Sequence, residues 1–163
     1  MPDHELPHTH YTHISHAFDQ AAQNYDALYQ ANPVMAWLRL ESLQVLQASF
    51  PPGSRLLEIG CGAGVDLAPH AQSSDQVTGA DLSPKAIALA KENFSHQELK
   101  GDLSVMTVEA LEFPDNSFDV VYAHGVLQYT ADAQKMVDES FRVLKPGGEF
   151  IAMVYNRRGW LIW

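Results

Sequence analysis

The eleven residues Leu56-Leu57-Glu58-Ile59-Gly60-Cys61-Gly62-Ala63-Gly64-Val65-Asp66 decide how the rest of this chain is read. Arg55 to Ile59 is a short, strand-like apolar run closed by glycines at 60, 62 and 64, and a helix is expected from there to about Ala71. A strand that turns through glycines into a helix is a common way for an α/β sheet to bring bare backbone up to a ligand. Gly60 allows the tight turn, Gly62 lets a ligand approach the backbone, and Gly64 opens the helix. Two details narrow the ligand. The spacing is G-x-G-x-G, with Val65 where a dinucleotide loop of the G-x-G-x-x-G type has its last glycine. Glu58 stands at the strand end, where a pyrophosphate would gain nothing from a negative charge. A cationic ligand explains that carboxylate.

Downstream, strand and helix patterns alternate. Gln76–Ala80 reads as a strand, Ser83-Pro84 starts a helix carrying Ala86, Ile87, Ala90 and Phe94, and Leu103–Val108, Phe118–Ala123 and Glu149–Tyr155 are further strands. Ala131–Leu144 reads as a helix with Met136, Val137, Phe141 and Leu144 on one face, ended by Lys145-Pro146-Gly147-Gly148. Alternation of this kind predicts right-handed βαβ units: an α/β, Rossmann-like, doubly wound, mostly parallel sheet with helices on both faces. Ligands of such sheets sit at the carboxyl ends of the strands. Asp81 falls there, 21 residues beyond Gly60 at the end of the second strand, where a carboxylate can accept hydrogen bonds from both hydroxyls of a ribose.

Upstream, residues 1–13 read as a polar, histidine-rich tail. Residues 14–50 read as helices covering the site, the first with Phe18, Ala21, Ala22, Tyr25, Leu28 and Tyr29 at helical spacing. The second starts at Asn32-Pro33 and carries Val34, Trp37, Leu38, Val45 and Leu46 inward. Residues 51–163 form the cofactor-binding core.

The 163 residues suffice for one domain, and an apolar content of 46% is too high for disorder. A formal charge of −10 argues against nucleic acid as a partner, since phosphate binding relies on a basic surface. The longest apolar run, Phe150–Tyr155, is far short of a membrane span, and the first thirty residues lack Lys and Arg, which argues against a secretory or organellar targeting segment. Cys61 is the only cysteine, which excludes an internal disulfide and fits a reducing, cytoplasmic setting.

With these residues in place, the chain resembles the class I S-adenosylmethionine-dependent methyltransferases. The resemblance rests on EIGCGAG (58–64), GADLSPKA (79–86), VEALEFPDNSFDVV (108–121), GVLQY (125–129) and RVLKPGG (142–148), in that order. FDQAAQNYD (18–26) further resembles the F-D-x-x-A-x-x-Y-D segment of the ubiquinone/menaquinone-biosynthesis type and related small-molecule methyltransferases. The resemblance implies S-adenosylmethionine as cofactor and a small-molecule acceptor. It implies that Glu58 and the backbone of Gly60, Cys61 and Gly62 hold the methionine part, that Asp81 binds the ribose, and that Leu82 packs on the adenine. Val108, Glu109 and Ala110 would meet the adenine edge, and Tyr25 would fold over the cofactor. Thr107 stands where the family commonly has an Asp that contacts the adenine amine. His124 would lie beside the sulfonium and methyl group, as a candidate general base or, more plainly, as a cleft-lining residue. Related sequences often have two histidines at Gln128-Tyr129, so Tyr129 is a candidate for the acceptor site.

Cys61 invites a nucleophile reading, but no His and acid pair with it, and a small residue is usual there in this loop type. His8, His10, His13 and His16 lack supporting ligands, so no metal is assigned. The sheet of this family has seven strands, so the C-terminal strands are expected to be missing, and the apolar end at Leu161-Ile162-Trp163 suggests a bare edge able to pair with another copy. Two alternatives stand beside methyl transfer. One is a cofactor-binding module without turnover; the other, a nicotinamide-dependent oxidoreductase, is disfavoured by Glu58 and the glycine spacing.

Overall fold

The computed structural model describes residues 6–22, 24, 31–48, 52–73 and 76–154. Among them, five strands form one sheet in the order β3-β2-β1-β4-β5, every neighbouring pair parallel. The strands are β1 (Arg55–Ile59), β2 (Gln76–Asp81), β3 (Asp102–Val105), β4 (Phe118–His124) and β5 (Leu144–Met153). Helices α1 (Leu6–Ala21) and α2 (Pro33–Ala48) precede the sheet, while α3 (Ala68–Gln72), α4 (Pro84–His96) and α5 (Ala133–Val143) connect its strands. The order runs outward from β1 in both directions, so the switch point of a doubly wound sheet lies between β1 and β4.

The two-residue period of the strands divides the core. Leu56, Val120 and Tyr122 face one side, against Leu46 of α2, Leu67, Ala68 of α3, and Ile87, Ala90 and Phe94 of α4. Leu57, Ile59, Val121 and Ala123 face the other, against Met136 and Val143 of α5. Leu56, Leu57 and Ile59 are completely buried, as a central parallel strand covered on both faces requires.

Caps agree with the sequence. Asn32 Oδ1 accepts from Val34 N (3.0 Å) and Met35 N (3.3 Å) at the start of α2. Ser83 Oγ accepts from Ala86 N (3.0 Å) to open α4; α5 starts at Ala133 rather than Ala131, and Asp132, which the sequence reading did not single out, caps it by accepting from Gln134 N and Lys135 N.

Several expectations need correction. The stretch 1–13 is not all tail: α1 begins at Leu6, because Pro7 is tolerated in a first turn and the apolar stripe extends back to Tyr11. On α2, Val34, Trp37 and Val45 are 52–57% exposed rather than inward. That helix is apolar on several sides, so its period could not choose a face, and packing turns Leu43 and Leu46 to the sheet instead. Phe141 likewise lies outside, edge-on to Phe150 with ring centres 6.1 Å apart, while Met136, Ser140 and Val143 at i, i+4 and i+7 take the core. β3 ends at Val105 rather than Val108, and β5 starts at Leu144 rather than Glu149. Leu144 pairs with Phe118 directly after α5, and an irregularity at Lys145–Gly148 within β5 then shifts the register before Glu149 meets Val120.

Candidate active site

The site grows from the ends of β1 and β2. Gly60 N and Cys61 N both donate to Ala80 O (2.7 and 3.1 Å), which draws the turn after β1 against the end of β2. Gly60 has φ +71° there, and a Cβ on it would collide with the side chain of Val126. Gly62, at φ +53°, is different: a Cβ there would meet nothing within 4 Å. The backbone is therefore bare and open at the point where a ligand can come closest. Asn93 of α4 steadies the loop from behind, donating to Ala63 O at 3.1 Å.

Asp81 closes this arrangement. Its two carboxylate oxygens accept from Gly62 N (2.9 Å) and Ser83 N (2.8 Å), so the carboxylate is oriented before any ligand arrives. Burial raises its pKa above the ordinary carboxylate value, against the opposing effect of those two N–H groups. A carboxylate has about four acceptor positions, so two remain for a diol.

Glu58 is 2% exposed near the end of β1 and lines the same cleft. Beside it lies an ion pair: Arg39 of α2 donates through Nε to Asp66, which is 4% exposed. The cleft thus holds Glu58, Asp66 and Asp81 against one guanidinium, an excess of negative charge suited to a ligand with a cationic group. Cys61 also lines it, but burial first, and the charges of Glu58 and Asp81 next, push its thiol well up. Both effects favour the protonated thiol and so weigh against a nucleophile there.

The opposite wall comes from β4 and the loop after it. His124 Nδ1 and Tyr122 Oη are 2.8 Å apart. Burial lowers the pKa of His124, and the raising effect of Asp66 does not offset it. Burial also drives the Tyr122 phenol far above its usual range. This pair is therefore uncharged at neutral pH. Gly125 (φ +67°), Val126, Tyr129 and Thr130 continue the wall. Tyr11, Ile14 and Phe18 of α1, with Ala22 just after it, roof the cleft, and Phe18 stands edge-on to Tyr129 at 5.1 Å between ring centres.

The structure brings Glu58, Gly60, Cys61, Gly62, Asp81, Leu82, Val108, His124 and Tyr129 to one cleft. Glu109 and Ala110 are not in its wall; Glu109 Oε1 turns aside to accept from Asp132 N at 2.7 Å. Tyr25 lies outside the described residues. Sequence reasoning missed Tyr11, Arg39 and Asp66. The 11-14-18-22 spacing could have pointed to Tyr11; a contact 27 residues apart, as in Arg39–Asp66, leaves no local signal. Among the described residues, no group of three His, Cys, Asp or Glu side chains could hold a metal ion.

Residues 57–152 match the methyltransferase domain family. The demethylmenaquinone methyltransferase of Symbiobacterium thermophilum is 31% identical over 147 residues, which cover 86% of this chain and 58% of that protein. Among solved structures, the phosphoethanolamine N-methyltransferase 2 of Haemonchus contortus, in complex with S-adenosyl-L-methionine, is 34% identical with a TM-score of 0.62, covering 68% of this chain and 27% of that one. The [4+2]-cyclase SpnF is 30% identical with a TM-score of 0.64, covering 67% and 42%. This chain thus spans little more than half the length of the first of these relatives, and less of the other two.

Proposed function

This chain belongs to the methyltransferase domain family, and we propose that its cleft binds S-adenosylmethionine for transfer of the methyl group to a small-molecule acceptor. One observation carries the reading: two carboxylates, the buried Glu58 and the half-buried Asp81, flank a bare glycine backbone at the switch point of the sheet. The fit is chemical. Glu58 answers the ammonium of the methionine part and Arg39 its carboxylate, while Gly60, Cys61 and Gly62 supply backbone alongside. Asp81 accepts from the ribose hydroxyls, and Leu82 and Val108 offer apolar surface to the adenine.

When bound, the cofactor supplies an electrophilic methyl on a sulfonium, which an acceptor displaces in line. The chain's own task is then alignment and exclusion of water, and orientation alone is worth roughly 7–11 kcal/mol of barrier. Phe18 and Tyr129 close the acceptor side. Where the acceptor must lose a proton, His124 is placed to take it on Nε2, in the tautomer whose Nδ1–H donates to Tyr122 Oη. Residues 51–163 serve as the cofactor-binding core, and 14–50 together with the first turns of α1 from Leu6 as its cover. Among the described residues no helix is long and apolar enough to cross a membrane. That and the single buried Cys61 support a cytoplasmic setting, and the charge of −10 weighs against a nucleic-acid acceptor. Among the described residues β5 pairs only with β4, an edge that supports self-association.

Calorimetric titration with S-adenosylhomocysteine and, separately, NADH tests the cofactor assignment. Saturable binding of the former, weakened at least tenfold by Asp81→Ala, is the expected result; binding of NADH alone overturns it. The likeness to a [4+2]-cyclase favours one second reading, a domain that binds the cofactor without transferring its methyl. Transfer of label from methyl-labelled cofactor to demethylmenaquinone or to phosphoethanolamine, the compounds for which the two methyltransferase relatives are named, would exclude it.

A further inference from the structure

The cofactor reading accounts for Glu58, Arg39 and Asp81, but not for the hydroxyl of Tyr11. This side chain comes from α1, outside the sheet, and still lines the cleft. Its Oη lies 3.4 Å from Ala131 N, and the side chains of Glu109 and Thr107 are its other hydrogen-bonding neighbours. Both belong to the turn after β3, where Glu109 N donates to Thr107 Oγ1 at 3.4 Å.

The order of groups in the ligand says what meets this cluster. With the amino-acid part at Glu58 and the ribose at Asp81, the base must continue past β2 toward β3, the next strand outward. There Leu82 and Val108 suit its flat apolar faces. The base edge also carries an exocyclic amine, a donor that needs an oxygen once it leaves water. A phenol both donates and accepts. When the Tyr11 hydroxyl donates to the Glu109 carboxylate, its two lone pairs face Ala131 N–H and Thr107, and the amine at the edge of the base takes the place of the long, exposed bond from Ala131 N (3.4 Å).

We propose that Tyr11 is a specificity-determining residue for the base of the cofactor, accepting a hydrogen bond from the adenine amine. The proposal rests on the reading of the cleft as an S-adenosylmethionine site. It has a structural consequence, because Tyr11 arrives on a roof helix that is fastened independently: Asp19 accepts from Ser83 Oγ and from Lys85 N (3.2 Å). The amine is therefore read only while α1 is docked, which couples choice of base to closure of the cleft.

The test is calorimetric titration of wild type and Tyr11→Phe with S-adenosylhomocysteine and with S-inosylhomocysteine, in which a carbonyl replaces the amine. Wild type is expected to prefer the adenosyl compound by about tenfold or more, and Tyr11→Phe to reduce that preference to within about threefold while the inosyl affinity stays nearly unchanged. A preference in Tyr11→Phe equal to that of wild type overturns the proposal. So does an equal weakening of both ligands, which would show that Tyr11 only docks α1. If wild type binds neither compound while its unfolding remains cooperative, the cofactor reading itself fails and the proposal falls with it. Asp81→Asn, which removes the ribose contact and leaves the base edge intact, is expected to weaken both compounds by a similar factor.

Discussion

Asp81 is oriented by two backbone N–H groups and yet has a raised pKa, because burial outweighs those bonds. The consequence for folding has the opposite sign to that of most carboxylates. A raised folded-state value means the fold favours the protonated form, so the contribution to stability is fully present below the ordinary carboxylate value and is lost as pH rises through the raised one. Urea unfolding of wild type and Asp81→Asn over a pH series is therefore expected to show the difference moving in favour of wild type on acidification. Affinity for S-adenosylhomocysteine should run the other way, falling over the same range in wild type as the carboxylate protonates. A stability difference that is flat with pH would mean that the carboxyl is not held in a desolvated state. The ordinary surface ion pairs, such as Lys145 with Asp119 (2.7 Å, both side chains 37% exposed), have no comparable bearing on the site.

Among the elements, α1 is the one whose docking can be separated from the sheet. It is held at its carboxyl end by Asp19, which meets the Ser83 hydroxyl at the start of α4 and so also gains from the helix dipole. Nearer its middle, Ser15 Oγ donates to Leu82 O at 3.3 Å. Loss of a carboxylate at a helix start typically costs about 1 kcal/mol. Asp19→Ala is accordingly expected to speed amide exchange across residues 11–21 by roughly fivefold, with little change in β1 and β4. It should also weaken S-adenosylhomocysteine binding by a similar factor, since the roof carries Tyr11, Ile14 and Phe18. Unchanged exchange in α1 would show that apolar contact alone docks the helix.

At the scale of the whole molecule, the site depends on α2 resting against the sheet, because α2 delivers Arg39 to Asp66. Leu46 is the buried anchor of that helix, fully inaccessible among Leu56, Val120 and Tyr122. Leu46→Ala is expected to cost about 2–5 kcal/mol in urea unfolding and to weaken cofactor binding beyond what fraction unfolded explains. Trp37→Ala on the same helix, at a position 57% exposed, is expected to change stability by no more than about 0.5 kcal/mol. Equal effects of the two would place the seat of α2 elsewhere.

The sequence by itself determined the sheet, its parallel character, the glycine turn and the two acidic strand ends. Each is encoded within a few residues: apolar strand runs, backbone conformations that favour glycine, and a strand that stops where a turn begins. Even the N-caps at Asn32 and Ser83 follow from local chemistry. Tertiary structure alone decided which way the helices face. On α2 apolar residues lie on several sides, and only the fit to the sheet chose Leu46 over Trp37 and Val45. It alone paired Arg39 with Asp66 and carried Tyr11 to Thr107 and Glu109, across most of the chain. Such contacts depend on the mutual placement of packed elements, and no short-range pattern records a distance of that kind.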